Sequence, residues 1–108
     1  MEIINIRRGF GKTTNLIYES NKKDIPIVCG SKQQCCYIEE KARRMRTRIP
    51  EPICISDLCD VDKNRGGKKP ERILIDELPN VLSILLGCVI DTATMTSNSL
   101  ELYDYNNR

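Results

Sequence analysis

The chain has 108 residues, 40 % hydrophobic and 30 % charged, a usage that fits one globular domain and excludes a disordered tract or a coiled coil. Its formal net charge of +2 hides an asymmetry: residues 1–50 hold eleven Lys/Arg against five Asp/Glu, whereas residues 51–108 hold six against ten. The basic half points to an anionic partner; no apolar run reaches the ~20 residues that span a bilayer and the N-terminus lacks a signal-peptide layout, so no membrane partner and a cytoplasmic location are expected.

Ile3-Ile4-Asn5-Ile6 is β-branched and predicts a first strand, after which Arg7 to Lys12, with two glycines, reads as a loop. Thr13 to Ser20 predicts a helix that Asn21-Lys22-Lys23-Asp24 ends. Ile25 to Cys29 predicts a second strand closed by Gly30-Ser31, and Lys32 to Arg46, free of Gly and Pro, predicts a longer helix stopped by Pro50 and Pro52. Ile53-Cys54-Ile55 is expected as a third strand, with Ser56-Asp57-Leu58 capping a short turn, and Asp60 to Pro70 as a surface loop around Gly66-Gly67. Ile73-Leu74-Ile75, apolar without alternation, predicts a strand of the kind that parallel sheets bury on both faces. Leu78 to Leu86 predicts a helix, Cys88-Val89-Ile90 a fifth strand, and Ser99 to Tyr105 a strand in preference to a helix. Strands alternating with helices predict an α/β fold with a doubly wound, mostly parallel sheet of five or six strands.

Six cysteines form no C-x-x-C pair and there is no histidine, so the thiols are read as reduced and free of zinc. Cys29, Cys54 and Cys88 lie in apolar runs, where cysteine behaves as a small buried hydrophobe. Without imidazole, carboxylates, lysine and backbone must carry any chemistry.

Arg8-Gly9-Phe10-Gly11-Lys12-Thr13-Thr14 falls between the first strand and the first helix. Glycines there let backbone N–H groups turn inward around phosphates, the helix N-terminus adds partial positive charge, and a lysine adds a mobile full charge. Lys12 is expected on the β- and γ-phosphates of ATP and the Thr13 hydroxyl on Mg²⁺. Gly11-Lys12-Thr13 resembles the Walker A motif of P-loop NTPases, although Ile6 stands where that motif has its first glycine. The arginine-bearing loop resembles the variant found in phage DNA-packaging terminases and some other phage ATPases.

Sixty-four residues after Lys12, Arg72-Ile73-Leu74-Ile75-Asp76-Glu77 puts two acids at the end of an apolar strand. In a parallel sheet the carboxyl ends of the strands share one edge, so Asp76 is expected beside Lys12 and Thr13 as a second Mg²⁺ holder. Glu77 is placed to orient or deprotonate an attacking water. Acids also suit a helix N-terminus for purely electrostatic reasons. The pattern resembles the Walker B motif of the additional-strand P-loop ATPases, which include helicases, AAA+ proteins and packaging motors, and it implies their RecA-like fold. The likeness further implies a sensor strand at Cys88 to Ile90, with Thr92 or Thr94 reporting the γ-phosphate in the manner of a Ser-Ala-Thr helicase motif. The implied strand order runs tail, phosphate-loop strand, sensor strand, carboxylate strand, then residues 25–29 and 53–55. At Val28 to Lys32 it places a strand, a turn and a basic helix where helicases touch DNA.

Lys41, Arg43, Arg44, Arg46 and Arg48 put five positive side chains in eight residues, which suits DNA phosphate or, more plainly, a solvated helix balanced by Glu39 and Glu40. An arginine finger from Arg7 or Arg8, or from another subunit's Arg43, Arg44, Arg46, Arg65 or Arg72, is compatible with the pattern. The combined expectation is a small phage-type P-loop ATPase that hydrolyses ATP with Mg²⁺ in DNA metabolism or packaging and works through self-association or a protein partner. The alternative is a non-catalytic, helicase-like interaction protein that regulates a partner. A nucleotide kinase is disfavoured, because no lid with paired arginines is evident.

Overall fold

The computed structural model describes residues 3–5, 11–60, 69–96 and 102–104. β2 (Ile27–Cys29) is the centre: its three residues are fully buried. It pairs in parallel with β3 (Ile53–Cys54) on one side and β4 (Leu74–Ile75) on the other, with Val28 opposite both Ile53 and Ile75. Alternation of side chains along β2 splits the core into two layers. Ile27 and Cys29 pack with Ile17 of α1 (Lys12–Lys23) and with Cys35, Ile38 and Ala42 of α2 (Lys32–Arg44). Val28 packs on the opposite face with Ile53, with Ile55 of α3 (Ile55–Cys59) and with Val81 of α4 (Leu78–Leu86). Each fully buried side chain such as Ile17, Ile27 or Ile38 contributes about 1.5–3 kcal/mol of transfer free energy.

Local chemistry sets the joints. At the end of α1, Asp24 adopts a left-handed conformation, and the buried Ser20 hydroxyl donates to the Ile25 carbonyl at 2.7 Å, tying the helix to the start of β2. The Ser31 hydroxyl caps α2 by accepting from the Gln34 amide at 3.1 Å. At Gly30 an added Cβ would lie 2.6 Å from Ile84 Cδ1 and 2.9 Å from Asn80 Nδ2, so side chains of α4 rest directly on the turn after β2.

The expected doubly wound sheet of five or six strands, and with it the RecA-like P-loop NTPase fold, is not formed. Among the described residues the central sheet has three parallel strands, and β1 (Ile3–Asn5) pairs in parallel with β5 (Leu102–Asp104) alone, from Ile3 opposite Leu102 to Asn5 opposite Asp104. The strand that was to join the two sheets is missing, because Cys88 to Ile90 is irregular. The cause lies in the end of α4. Gly87 turns left-handed, and the amides of Gly87 and Cys88 both donate to the Ser83 carbonyl, at 2.8 and 3.2 Å, so the Cys88 amide is consumed in closing the helix. Val89, 90 % exposed, then points to solvent.

Elsewhere the differences are at boundaries. Ile55 starts α3 and does not end β3, and α1 runs three residues beyond Ser20. Cys29 and Cys54 are buried as expected, whereas Cys88 is exposed. Residues 61–68 of the expected loop and all but 102–104 of the expected tail strand lie outside the described residues. Among the described residues, no helix is long and apolar enough to cross a membrane.

Candidate functional site

Because β2, β3 and β4 are parallel, their carboxyl ends share an edge, and the helices that follow them begin there. The site is built on that edge. Of the anticipated phosphate loop, Arg8, Gly9 and Phe10 lie outside the described residues. Gly11 has a φ of 78°, a left-handed geometry that glycine adopts at little cost, and it starts α1. The Asn15 side chain donates to the Gly11 carbonyl at 2.9 Å, which holds the turn against the helix. Lys12, Thr13 and Thr14 then occupy the first turn, where helix amides face outward without intrahelical partners.

From the other side of the sequence, β4 delivers Asp76. Its amide still donates to the Val28 carbonyl at 3.1 Å, so the residue is anchored by the sheet. Its side chain is buried, at 5 % exposure. Burial pushes the Asp76 carboxyl above the usual carboxylate range; the Gln34 hydrogen bond at 3.3 Å opposes this, the neighbouring Glu77 reinforces it, and Lys12 and the Thr13 hydroxyl oppose it. Glu77 follows in a left-handed conformation (φ 60°), costly for a residue with a Cβ, and its carboxylate grips the Lys12 ammonium at 2.6 and 2.5 Å. Both members of this ion pair are about one-third to one-half exposed, so its charges exchange readily with water.

Lys12, Thr13, Asp76 and Glu77 are thus brought together across more than sixty residues of sequence. Gln34 joins them although it was not singled out from the sequence; the available signal was its place in the first turn of the helix that leaves β2. The Val28 to Lys32 turn therefore borders this site.

Thr92 and Thr94 are not drawn in. Both are exposed in irregular chain, and the Thr92 hydroxyl donates to its neighbour Asp91 at 2.8 Å. The basic cluster lies at the other end of α2. Lys41, Arg43 and Arg44 fill its last turn, where cations complement the helix dipole, and Arg46 and Arg48 follow. Lys41 sits over the Tyr37 ring at 5.9 Å, and the Arg48 carbonyl accepts from Asn21 of α1 at 2.6 Å, which brings the Lys22 end of α1 beside the arginines.

Among the described residues no group of three or more Cys, Asp or Glu could hold a metal ion by itself. The Thr13 hydroxyl and the buried Asp76 carboxylate are hard oxygen donors of the type that Mg²⁺ uses together with phosphate oxygens and water, so the donor set fits that ion with a phosphate ligand and not alone. Comparison with protein-family models, curated proteins and solved structures finds no match for this chain.

Proposed function

We propose that this chain binds ATP at the carboxyl edge of its parallel sheet and hydrolyses it. The observation that carries the reading is the convergence of Lys12 and Thr13, at the start of a helix, on Asp76 and Glu77 at the end of a strand. A helix start with a left-handed glycine and a lysine suits a triphosphate, since amide dipoles and one full charge face the same anion. The triphosphate competes with Glu77 for the Lys12 ammonium. That exchange releases the Glu77 carboxylate next to the phosphate, where it orients or deprotonates a water. Thr13 and Asp76 would hold Mg²⁺, which when bound neutralises phosphate charge. Gln34 keeps the Asp76 carboxylate turned toward this edge.

The basic end supports a second contact. Arg43, Arg44, Arg46 and Arg48 are exposed and form no ion pair among the described residues, a composition that suits the phosphate backbone of DNA. One observation favours the regulatory, non-catalytic alternative: α4 leaves Leu82, Leu85 and Leu86 exposed, with Val89 beyond them, as an interaction protein would.

Turnover separates the readings. Steady ATP hydrolysis that is lost in Glu77→Gln while a fluorescent ATP analogue still binds supports the ATPase. An unchanged rate in Glu77→Gln, or no binding of the analogue by the unsubstituted protein, overturns it.

A further inference from the structure

We propose that Cys29 and Cys35 form a redox site, a dithiol that closes to a disulfide at the carboxyl end of β2 on reaction with a low-molecular-weight disulfide. Their sulfur atoms lie 2.7 Å apart. A covalent S–S bond is about 2.05 Å long, so closure asks for a shift well below the size of a side chain. The fold creates this proximity: Cys29 ends β2, Cys35 sits in the first turn of α2, and the intervening turn is fixed by the Ser31 cap on Gln34 and by the packing of α4 on Gly30. The other thiols are placed differently. Cys54, also buried, has the Ser56 hydroxyl at 3.2 Å, whereas Cys36, Cys59 and Cys88 are exposed.

Cys35 is 7 % exposed and Cys29 fully buried, which makes Cys35 the entry thiol. The Cys35 thiolate attacks one sulfur of the small disulfide and releases one small thiol. Cys29 then displaces the second small thiol from the mixed disulfide. The protein dithiol and one small disulfide become a protein disulfide and two small thiols, which carry away both thiol protons. Burial raises both thiols, and the contact with Cys35 raises Cys29 further while lowering Cys35. The exchange is accordingly slow until the turn opens, and the same burial shields the disulfide from reductant once formed. Gln34, the donor to Asp76, directly precedes Cys35, so closure pins the turn that carries it.

The test uses the full chain with Cys36→Ser, Cys59→Ser and Cys88→Ser, exposed to glutathione disulfide both in the folded state and during refolding from urea, then alkylated under denaturing conditions. Trypsin cuts at Lys32, so the proposed bond joins peptides 24–32 and 33–41 and leaves Cys54 alkylated. Because six residues of separation also permit pairing in an unfolded chain, the same protein kept in urea is the reference. The folded chain is expected to hold the bond at a reducing poise about tenfold stronger than the unfolded chain tolerates. Equal poise in both states, a bond to Cys54, or full alkylation of all three thiols in both arms overturns the proposal. Cys35→Ser added to this background must abolish the bond; if it impairs folding, Cys54→Ser in the same background, which must retain the bond, keeps the test decisive.

Discussion

The two ends of α2, about 20 Å apart for a helix of 13 residues, carry charge in opposite ways. At the N-terminal end, charges from distant parts of the sequence meet: Lys12 from α1, Asp76 and Glu77 from β4 and the turn after it, with Gln34 between. Two features there work against stability, a carboxylate buried to 5 % exposure and a glutamate in a left-handed conformation. At the C-terminal end, Lys41, Arg43 and Arg44 are neighbours in sequence, exposed or half-exposed, and favoured by the helix dipole. A charge cluster that lowers stability needs a reason beyond folding, whereas one that raises it does not. The carboxyl edge is therefore the stronger functional candidate of the two.

The comparison breaks most easily at Lys12. Lys12→Ala is expected to weaken ATP binding by about 100-fold, the loss of a charge-assisted contact, while changing folding stability by no more than about 1 kcal/mol because the Lys12–Glu77 pair is exposed. Calorimetric titration and urea unfolding of the same variant measure the two quantities; a large stability loss with unchanged affinity would make the lysine structural.

Asp76 provides the next effect, and its sign is fixed by burial. A carboxyl raised in the folded state contributes stability that is fully present below its ordinary value of 3.8 and is lost as pH rises through the raised folded value. Above that raised value the ionised carboxylate opposes folding. Asp76→Asn should thus raise the urea midpoint at neutral pH, flatten its dependence on pH above 3.8, and abolish the Mg²⁺ dependence of ATP binding. Gln34→Ala should act in the opposite direction, lowering the urea midpoint through a stability loss of about 1.5 kcal/mol at neutral pH, the loss of a hydrogen bond to a charged group. Matching signs in these two variants would contradict the account of the edge.

The smallest effects belong to the basic end. Arg43→Gln and Arg44→Gln should each cost only about 0.3–1 kcal/mol of stability, from the helix dipole. If DNA binds there, each should also reduce the slope of log affinity against log salt by about one unit, which a filter or fluorescence titration across salt concentrations reads directly.

Much of the chain's local organisation was legible. Leu78–Leu86 was anticipated residue for residue, because Pro79 near its start and Gly87 at its end mark both limits. The second strand, expected over Ile25 to Cys29 and formed over Ile27–Cys29, followed from a short apolar run, and the helix after it, expected to Arg46 and ending at Arg44, from a stretch free of Gly and Pro. The expected strand over Cys88 to Ile90 shows where such reasoning stops: the apolar letters favour a strand, but the Cys88 amide is spent on the Ser83 carbonyl, so the ladder that would have joined two sheets into one is absent. In the candidate site, Lys12, Thr13, Asp76 and Glu77 were legible because their residue types and flanking elements carry the signal. Gln34 and the Cys29–Cys35 contact were not, since neither residue type is distinctive at that spacing.

Helix and strand tendencies, caps and the presence of a lysine-bearing glycine turn are properties of neighbouring residues, and the amino-acid order alone determined them. Which strands pair, which helix starts face Asp76 and which thiols touch depend on contacts between residues far apart in the chain. Those were decided only in three dimensions, where burial around β2 selects one arrangement among the many that the same local preferences allow.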